Sequence, residues 1–364
     1  MYILKHCQFY QISPCKLPQL RKHCVKILFM FKLKIIFIII LLSSCHPSDK
    51  MIRQVNKITS IKKNQEILCP VTSPNNCAID SPLTNLYENS EQTGKSYASI
   101  LEKGEDSLLL RLHMIRMAQK SIEIQTFIWV NDDAGHLVLA ELLQAAKRGV
   151  KVKVIIDQLF SMGNSWFLAE IATLHKNLEV KMFNPIFNEG NTSSFDFVTA
   201  LACCLSSLNR RMHNKLFLVD DKYGINGGRN YQNRYFDWDE EFNYHDRDVL
   251  AIGKNVAMQM RESFKAFWNS QWVVRLENLD DVAGRILKNQ ENHSDWNIPQ
   301  KKMARRLKLK AFDYNLIKKK FTDTAIIADE VEYFSDLPEK LFIKSRDVKK
   351  QSKQMSKKIK ELIL

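Results

Sequence analysis

The 364-residue sequence has no apolar run long enough to cross a bilayer as a stable helix. Its most apolar run, residues 35–42, has eight residues, whereas a membrane-spanning helix needs about 20. The sequence also has no Cys-x-x-Cys pair and no histidine-rich spacing, so we expect no structural metal and no cofactor. What is present, 45% hydrophobic and 26% charged residues, is typical of a globular protein with a real core.

The short apolar run has the proportions of a signal peptide. Two lysines precede residues 35–42, and Leu-Ser-Ser-Cys follows, ending at Cys45. This ending resembles the lipobox of bacterial lipoproteins, in which the cysteine is lipidated after cleavage. We therefore expect a lipoprotein signal peptide over residues 30–45, with residues 1–29 as an extension before the true start. The protein is then anchored to a membrane of the bacterial cell envelope, on its periplasmic side.

The net charge of +14 is unevenly distributed along the chain. Residues 301–364 hold 18 basic and 9 acidic residues. A basic surface suits anionic partners, either nucleic acid or acidic phospholipid headgroups, although a solvated face explains the charge equally well. Residues 46–100 are polar, and we expect them to form a leader or tether in which Cys69 and Cys77 can form a disulfide in an oxidising compartment.

Helix and strand patterns alternate after residue 100. A helical pattern begins near Asp106 and is followed by the strand pattern "SIEIQTFIW", the helix "HLVLAELLQAAKRG" and the strand "VKVKVIID". Strand, helix and strand in this order predict a parallel pair and an α/β fold. After an irregular stretch at 184–210, "KLFLVD", "YGINGG" and "RDVLAIG" predict three further strands.

The stretch "RMHNKLFLVDDKYGINGGRN" at 211–230 carries the chemistry. On a strand, His213 and Lys215 point to the same face. A neutral imidazole is a good nucleophile near pH 7, and an ammonium beside it can neutralise a phosphate oxygen. Asn230 adds a neutral donor, while Gly227 and Gly228 allow the backbone to approach an anion closely. These residues suit metal-free attack on a phosphodiester.

The fixed spacing of these residues makes chance an inadequate explanation. Asp220 completes a His-x-Lys-x4-Asp pattern, and at the strand end we expect it to hold the turn or pair with a cation. "HNKLFLVD" and "GGRN" resemble the signature of the phospholipase D superfamily. The flanking "SIEIQTFIWVNDDAGHLVLAELLQAAKRGVKVKVIID" and "DVLAIG" extend the resemblance to its bacterial cardiolipin synthase branch.

The resemblance implies roles for individual residues. His213 would form a phosphohistidine, and Lys215 and Asn230 would bind the phosphate oxygens. Asp246, or with less support Asp248, would orient the imidazole. The family's usual Gly-Ser pair is Gly-Gly here, so a hydroxyl often found in the site is missing.

The resemblance also implies the fold and the domain plan. We expect a mixed β-sheet flanked by helices on both faces, with a catalytic domain over residues 101–275. Residues 276–364 are expected to be a basic linker and the truncated start of a second unit, because "DVKKQSKQMSKKIKELIL" is similar to "LHMIRMAQKSIEIQTF".

Cardiolipin synthases of this type carry two such motifs, and this sequence has one. Either two chains pair as a homodimer, each supplying a histidine, or a separately encoded second half completes the site. The expected substrate is a phospholipid such as phosphatidylglycerol, transferred to an alcohol or to water. Two alternatives are a homodimeric phosphodiesterase acting on nucleic acid and a catalytically inactive lipoprotein.

Overall fold

A computed structural model describes residues 49–63, 78–161, 164–288, 302–338 and 357. Helices α1 to α11 span Asp49–Lys62, Leu83–Thr93, Gly104–Met117, Asp133–Lys147, Ser165–Thr173, Ser194–Cys203, Leu205–Leu208, Lys254–Trp268, Asp280–Lys288, Lys302–Lys310 and Tyr314–Ile317. Strands β1 to β9 span Ser96–Leu101, Ser121–Trp129, Lys151–Ser161, Leu178–Phe183, Leu216–Val219, Tyr223–Gly227, Asp248–Ile252, Val273–Arg275 and Ile326–Ala328. Short 3₁₀ turns lie at Ile186–Asn188, Asn233–Tyr235 and Leu276–Asn278.

The nine strands form one mixed sheet in the order β8-β4-β3-β2-β5-β6-β7-β1-β9. Strands β2, β3 and β4 are parallel, with α4 and α5 as their crossover helices, and the remaining pairs are antiparallel. The βαβ prediction and the mixed α/β class are therefore confirmed. The parallel strands are rich in valine and isoleucine because both of their faces are covered.

Helices cover both faces of the sheet, as predicted. On one face, α8 packs Val256, Phe264 and Phe267 against the sheet. On the other face, helices α3, α4, α5, α9 and α10 contribute to a larger apolar cluster. This arrangement leaves the ends of β2, β5 and β6 as the place where loops can build a site.

The expected tether at 46–100 is wrong for the residues that the structure describes. Val55 of α1 and Leu83 at the start of α2 are fully buried in the main core. Strand β1 lies inside the sheet, between β7 and β9. The sequence pattern missed these elements because each contributes only a few apolar positions, and their partners lie far along the chain.

The segment after residue 275 also departs from the expected linker. Helices α9 and α10 bury Val282, Ile286 and Leu307 in the same core, and β9 pairs with β1 at the edge of the sheet. Residues 276–288 and 302–328 therefore complete this domain, and the boundary predicted at residue 275 falls inside it. The expected second unit falls mainly on residues 339–364, which lie outside the described residues except for Lys357.

Residues 184–210 are more regular than their sequence suggests. They contain a 3₁₀ turn, α6 and α7, and the adjacent Cys203 and Cys204 form a disulfide. Helix α6 begins with a capping box between Ser193 and Asp196, a local start signal that the sequence reading overlooked. The predicted lipidation site Cys45 and the predicted Cys69–Cys77 disulfide lie outside the described residues.

Within the described ranges, no helix is both long enough and apolar enough to cross a membrane.

Candidate active site

His213 and Lys215 lie in the loop that leads into β5, whose first residue is Leu216. The expectation that both sit on the strand is therefore wrong by a few residues, but the two side chains are adjacent. The ammonium Nζ of Lys215 lies 3.2 Å from Nδ1 of His213 and donates a hydrogen bond of 2.8 Å to the His213 carbonyl oxygen. The predicted nucleophile and the predicted phosphate-binding cation therefore lie side by side.

Phe127 of β2 forms a wall of this site that the sequence reading did not identify. Its ring centroid lies 4.7 Å from that of His213, and Lys215 Nζ lies 5.7 Å from the Phe127 centroid. The pairing of β2 with β3 shifts register between Thr126 and Ile128. An irregularity of this kind re-aims a side chain, and here the residue within the shift contacts the imidazole.

Asn230 is buried and hydrogen-bonded to β2. It is 2% exposed, and its Oδ1 accepts hydrogen bonds from the Ile128 backbone N–H at 2.9 Å and from the Thr126 hydroxyl at 3.3 Å. Because the amide oxygen is committed to β2, the amide nitrogen is the donor end; one of its two N–H groups bonds to Tyr235, which leaves one for an anion. Asn230 of the Gly-Gly-x-Asn segment therefore accepts a backbone N–H hydrogen bond at the point where the register of β2 shifts.

The two glycines of the motif each lie against a carboxylate. A Cβ on Gly227 would clash with the Asp248 carboxylate and with the backbone of residues 247 and 248. A Cβ on Gly228 would clash with the side chain of Asp246 alone. The Asp246 carboxylate thus occupies the space that the family's usual serine would need, which gives a physical reason for the Gly-Gly pair.

Asp248 is fully buried and ion-paired with two arginines. Arg111 Nη1 lies 3.1 Å and Arg229 Nη1 3.4 Å from its Oδ2, which also accepts the Ser107 hydroxyl hydrogen bond. Burial raises the pKa of Asp248, but the charge of Arg111, the Ser107 hydrogen bond and the charge of Arg229 outweigh it and hold the pKa below its usual range. The carboxylate is therefore ionised and fixes the backbone on which Asn230 sits.

The predicted relay from Asp246 to His213 stays a prediction. Among the described residues no hydrogen bond joins Asp246 or Asp248 to the imidazole. Asp246 instead lies against Gly228. Its charge and that of Asp248 act to raise the pKa of Lys215, against the larger lowering caused by burial. The Arg111 and Arg229 pairing makes Asp248 the structural member of the two, which leaves Asp246 as the candidate orienting group.

Burial and charge favour a neutral imidazole in this site. The pKa of His213 is lowered, first by burial and then by the charge of Lys215. The pKa of Lys215 is lowered by burial, against the opposing effect of Asp246 and Asp248. A neutral imidazole has the lone pair that a nucleophile needs.

Asp220 lies at the far end of β5 and holds a turn, as the sequence predicted. Its carboxylate accepts hydrogen bonds from the backbone N–H groups of Gln119, Lys120 and Ser121 at 2.9, 2.7 and 2.9 Å. Its φ of 53° is in the left-handed region, which aspartate tolerates better than most residues. Asp220 therefore joins the loop after α3 to the β5–β6 turn and does not contact His213.

The described residues contain no second site of the same kind. His213 is the one histidine in the sequence with a lysine two positions later. His113 is committed to Ser81 and to the Ala311 carbonyl oxygen, and burial lowers its pKa to about 4. No group of three or more metal-ligating side chains occurs in the part of the chain that is described.

The sequence places this site in a known family. A family model described as the phospholipase D-like domain of cardiolipin synthase matches residues 112–268, which include the whole motif. Residues 112–268 therefore form a phospholipase D-like domain. The match runs from the end of α3 to α8 and does not by itself define a substrate.

Several proteins are similar to this chain over about half of its length or a little more. Cardiolipin synthase C of Escherichia coli K12 is 33% identical over 226 residues, 62% of this chain and 43% of the relative. An uncharacterized protein of Helicobacter pylori 26695 is 40% identical over 192 residues, 52% of this chain and 37% of the relative. The structure of NucT from Helicobacter pylori aligns with a TM-score of 0.37 at 15% identity, covering 50% of this chain and 99% of NucT. The chain spans less than half the length of both curated relatives.

The charge of Lys215 should be measurable in the titration of His213. Replacing the lysine with the neutral Lys215→Met should raise the pKa of His213, because the neighbouring cation no longer disfavours the imidazolium. Burial should still hold that pKa below 6.5. Imidazole NMR signals followed across pH measure the shift, and His136, whose pKa is lowered mainly by burial, is the internal control. An unchanged or lower His213 pKa would contradict the electrostatic assignment.

The two glycines should differ in their tolerance of a methyl group. Gly227→Ala meets backbone atoms that cannot move without disturbing β6 and β7, so we expect a loss of about 1–3 kcal/mol in the free energy of unfolding. Gly228→Ala meets only the Asp246 side chain, which can rotate, and should cost less than about 1 kcal/mol. Urea denaturation measures the free energy of unfolding of the two variants. Equal losses would contradict the prediction and would show that the Asp246 and Asp248 carboxylates are equally fixed.

Asp220 and Asp221 form a matched pair because both have positive φ in the same turn. Asp220→Ala removes three backbone hydrogen bonds to a carboxylate and should destabilise the fold by about 2–3 kcal/mol. Asp221→Ala removes a partly exposed ion pair with Arg261 and should cost at most about 1 kcal/mol. The backbone strain of alanine is common to both variants, so the difference in unfolding free energy isolates the hydrogen bonds.

Proposed function

We propose that this protein is a membrane-anchored phosphodiesterase or phosphatidyltransferase of the cardiolipin synthase type, acting on phospholipids through a phosphohistidine. The observation that carries the proposal is the Lys215 ammonium beside a His213 imidazole whose pKa is lowered. A neutral nucleophile next to a cation is suited to an anionic phosphodiester. Similarity to cardiolipin synthase C supports a lipid as the substrate.

The first chemical step forms a phosphorus–nitrogen bond. A ring nitrogen of His213 attacks the phosphorus with its lone pair, and the bond from phosphorus to the leaving alcohol oxygen breaks. Lys215 and the Asn230 amide nitrogen bind the phosphate oxygens on which charge increases, while Gly227 and Gly228 let them approach the backbone. Asp246 is the proposed orienting carboxylate for the imidazole.

The second step reverses this chemistry with a different oxygen nucleophile. An alcohol such as the headgroup of phosphatidylglycerol, or water, attacks the phosphorus, and the bond to His213 breaks. The leaving alcohol of the first step must gain a proton and the incoming alcohol must lose one, which requires an acid–base group. We propose that a histidine from a second copy of this chain, or from a separately encoded half, fills that role.

Membrane attachment completes the proposal. A lipid on Cys45 would hold the enzyme on the periplasmic side of the membrane that contains its substrate. The excess of basic residues in the chain, with a net charge of +14, suits anionic headgroups. No cofactor or metal has a role in these steps.

Trapping the intermediate tests the proposal directly. Phosphatidylglycerol labelled with ³²P, mixed with the protein and quenched in alkali, should leave an acid-labile label on the wild-type chain. His213→Ala should lose the label and at least about 10³-fold of the transfer and hydrolysis activity. His136→Ala, which changes a histidine outside the site, is the control.

Two results would overturn the lipid proposal. One is phospholipid turnover that survives His213→Ala, and the other is a label on a residue other than His213. Cleavage of plasmid DNA without added metal, combined with no reaction on lipids, would favour the nucleic-acid phosphodiesterase instead. Light scattering during size exclusion then shows whether activity elutes at twice the chain mass, as a site completed by a second copy requires.

A further inference from the structure

Helix α6 presents an apolar face to solvent. Phe195, Val198 and Leu205 are 78%, 64% and 51% exposed, and Leu201 and Phe197 are 44% and 41% exposed. Phe195, Val198 and Leu201 are spaced by three residues along α6, so they share one side of the helix, whereas Phe197 lies on another side and Leu205 belongs to α7. We call Phe195, Val198 and Leu201 the α6 apolar face.

The α6 apolar face is neither packed against the domain nor charged. Ala200 is the one buried residue of α6, and it contacts a small cluster with Ile186 and Leu208. Residues 194–208 include a single charged residue, Asp196, which is committed to the capping box at the start of the helix. A contiguous exposed apolar surface of this kind marks a contact with another protein or with a membrane.

The segment lies next to the candidate active site. After α7 ends at Leu208, five residues lead to His213, and an extended chain of that length spans at most about 17 Å. The Leu208 carbonyl oxygen accepts a hydrogen bond from Arg211, whose guanidinium pairs with the buried Asp157 at 3.2 Å. The connection between the apolar segment and the nucleophile is therefore short and fixed.

The other end of α6 is joined to the helices that contact α1. The backbone N–H groups of Gly190 and Asn191 donate to Asp281 at the start of α9, and α1 contacts both α9 and α5. Residues 49–63, which are α1 and the residue after it, carry five basic residues and one acidic residue, and Lys50, Arg53 and Lys57 are exposed. The basic α1 and the segment that leads into the apolar α6 thus both contact α9.

This combination favours a lipid surface over a second copy of the chain. An anionic bilayer attracts the basic α1 through its headgroups and accepts apolar side chains at the boundary of its acyl region. Two copies joined through α6 would instead bring like-charged α1 helices toward one another. Residues 46–48 separate Cys45 from α1, so a lipid on Cys45 would hold α1 within about 14 Å of its attachment point.

We propose that the α6 apolar face inserts into the surface of a phospholipid bilayer and holds the mouth of the His213 site against it. The side chains of Phe195, Val198 and Leu201 enter the boundary between headgroups and acyl chains, and α1 contacts anionic headgroups. The purpose of this contact rests on the proposed lipid substrate, but its existence can be measured without any catalytic activity.

The decisive experiment places a fluorescent probe on α6 of the full chain. Leu201→Trp is bound to vesicles of phosphatidylethanolamine and phosphatidylglycerol, with and without bromine on the acyl chains. Quenching is measured as the excess over the parent protein and its six native tryptophans. Met258→Trp is the matched control, because Met258 is 48% exposed on α8, which covers the opposite face of the sheet from α9.

The proposal requires excess quenching by bromolipids at position 201 and none at position 258. No excess at position 201, or equal excess at both positions, would overturn it. A blue shift of the position-201 emission that grows with protein concentration before vesicles are added would also overturn it, because a second copy would then cover α6.

A second measurement separates docking from chemistry. The double variant Phe195→Ser, Leu201→Ser should bind vesicles at least about tenfold more weakly than the parent, while Met258→Ser should bind as the parent does. Hydrolysis of the water-soluble bis(p-nitrophenyl) phosphate should be the same in all three. If none of the proteins hydrolyses any phosphodiester, the proposed function fails, while the quenching result still decides the membrane contact.

Discussion

The buried carboxylate of Asp248 is the constraint on which the site depends. It lies at the first residue of β7, and its partners come from α3 and from the segment that follows Gly227. Removing one partner from such a group would leave an uncompensated charge in the core, which typically costs several kcal/mol. Because Arg229 also donates to the carbonyl oxygens of Leu101 and Tyr235, the same ionic group fixes the path of the chain on both sides of Asn230.

From that fixed segment the geometry of the site extends to β2. Asn230 satisfies the backbone N–H of Ile128 where the β2–β3 register shifts, and Phe127 within the shift packs on His213. The proposed nucleophile, the proposed anion donor and the aromatic wall are thus positioned by three separate strands and loops. Their mutual positions follow from backbone hydrogen bonds and a buried ion pair, and less from the half-buried Lys215.

The sequence predicted the central strands well because their apolar patterns are strong and local. "SIEIQTFIW" is β2, "VKVKVIID" begins one residue before β3, and "RDVLAIG" extends one residue beyond each end of β7. Strands β1 and β9 were missed, because β1 pairs with β7 and β9, and both partners are more than 140 residues away in the sequence. Pairing at such separations leaves no periodic signal in either segment, so 46–100 resembled a tether and 276–364 a linker followed by the start of a second unit.

The sequence by itself determined which candidate groups come together, since His213, Lys215, Gly227, Gly228 and Asn230 stand at spacings that a strand, a turn and a second strand bring close to one another. Only the tertiary structure decided that Asp248 is committed to Arg111 and Arg229, that Asp246 fills the space beside Gly228, and that Phe127 faces the imidazole. The physical reason is that ion pairing and close packing join residues of different elements, which lie 19 positions apart for Arg229 and Asp248 and 137 positions apart for Arg111 and Asp248. Such contacts depend on the fold as a whole, whereas strand periodicity and motif spacing are properties of the local chain.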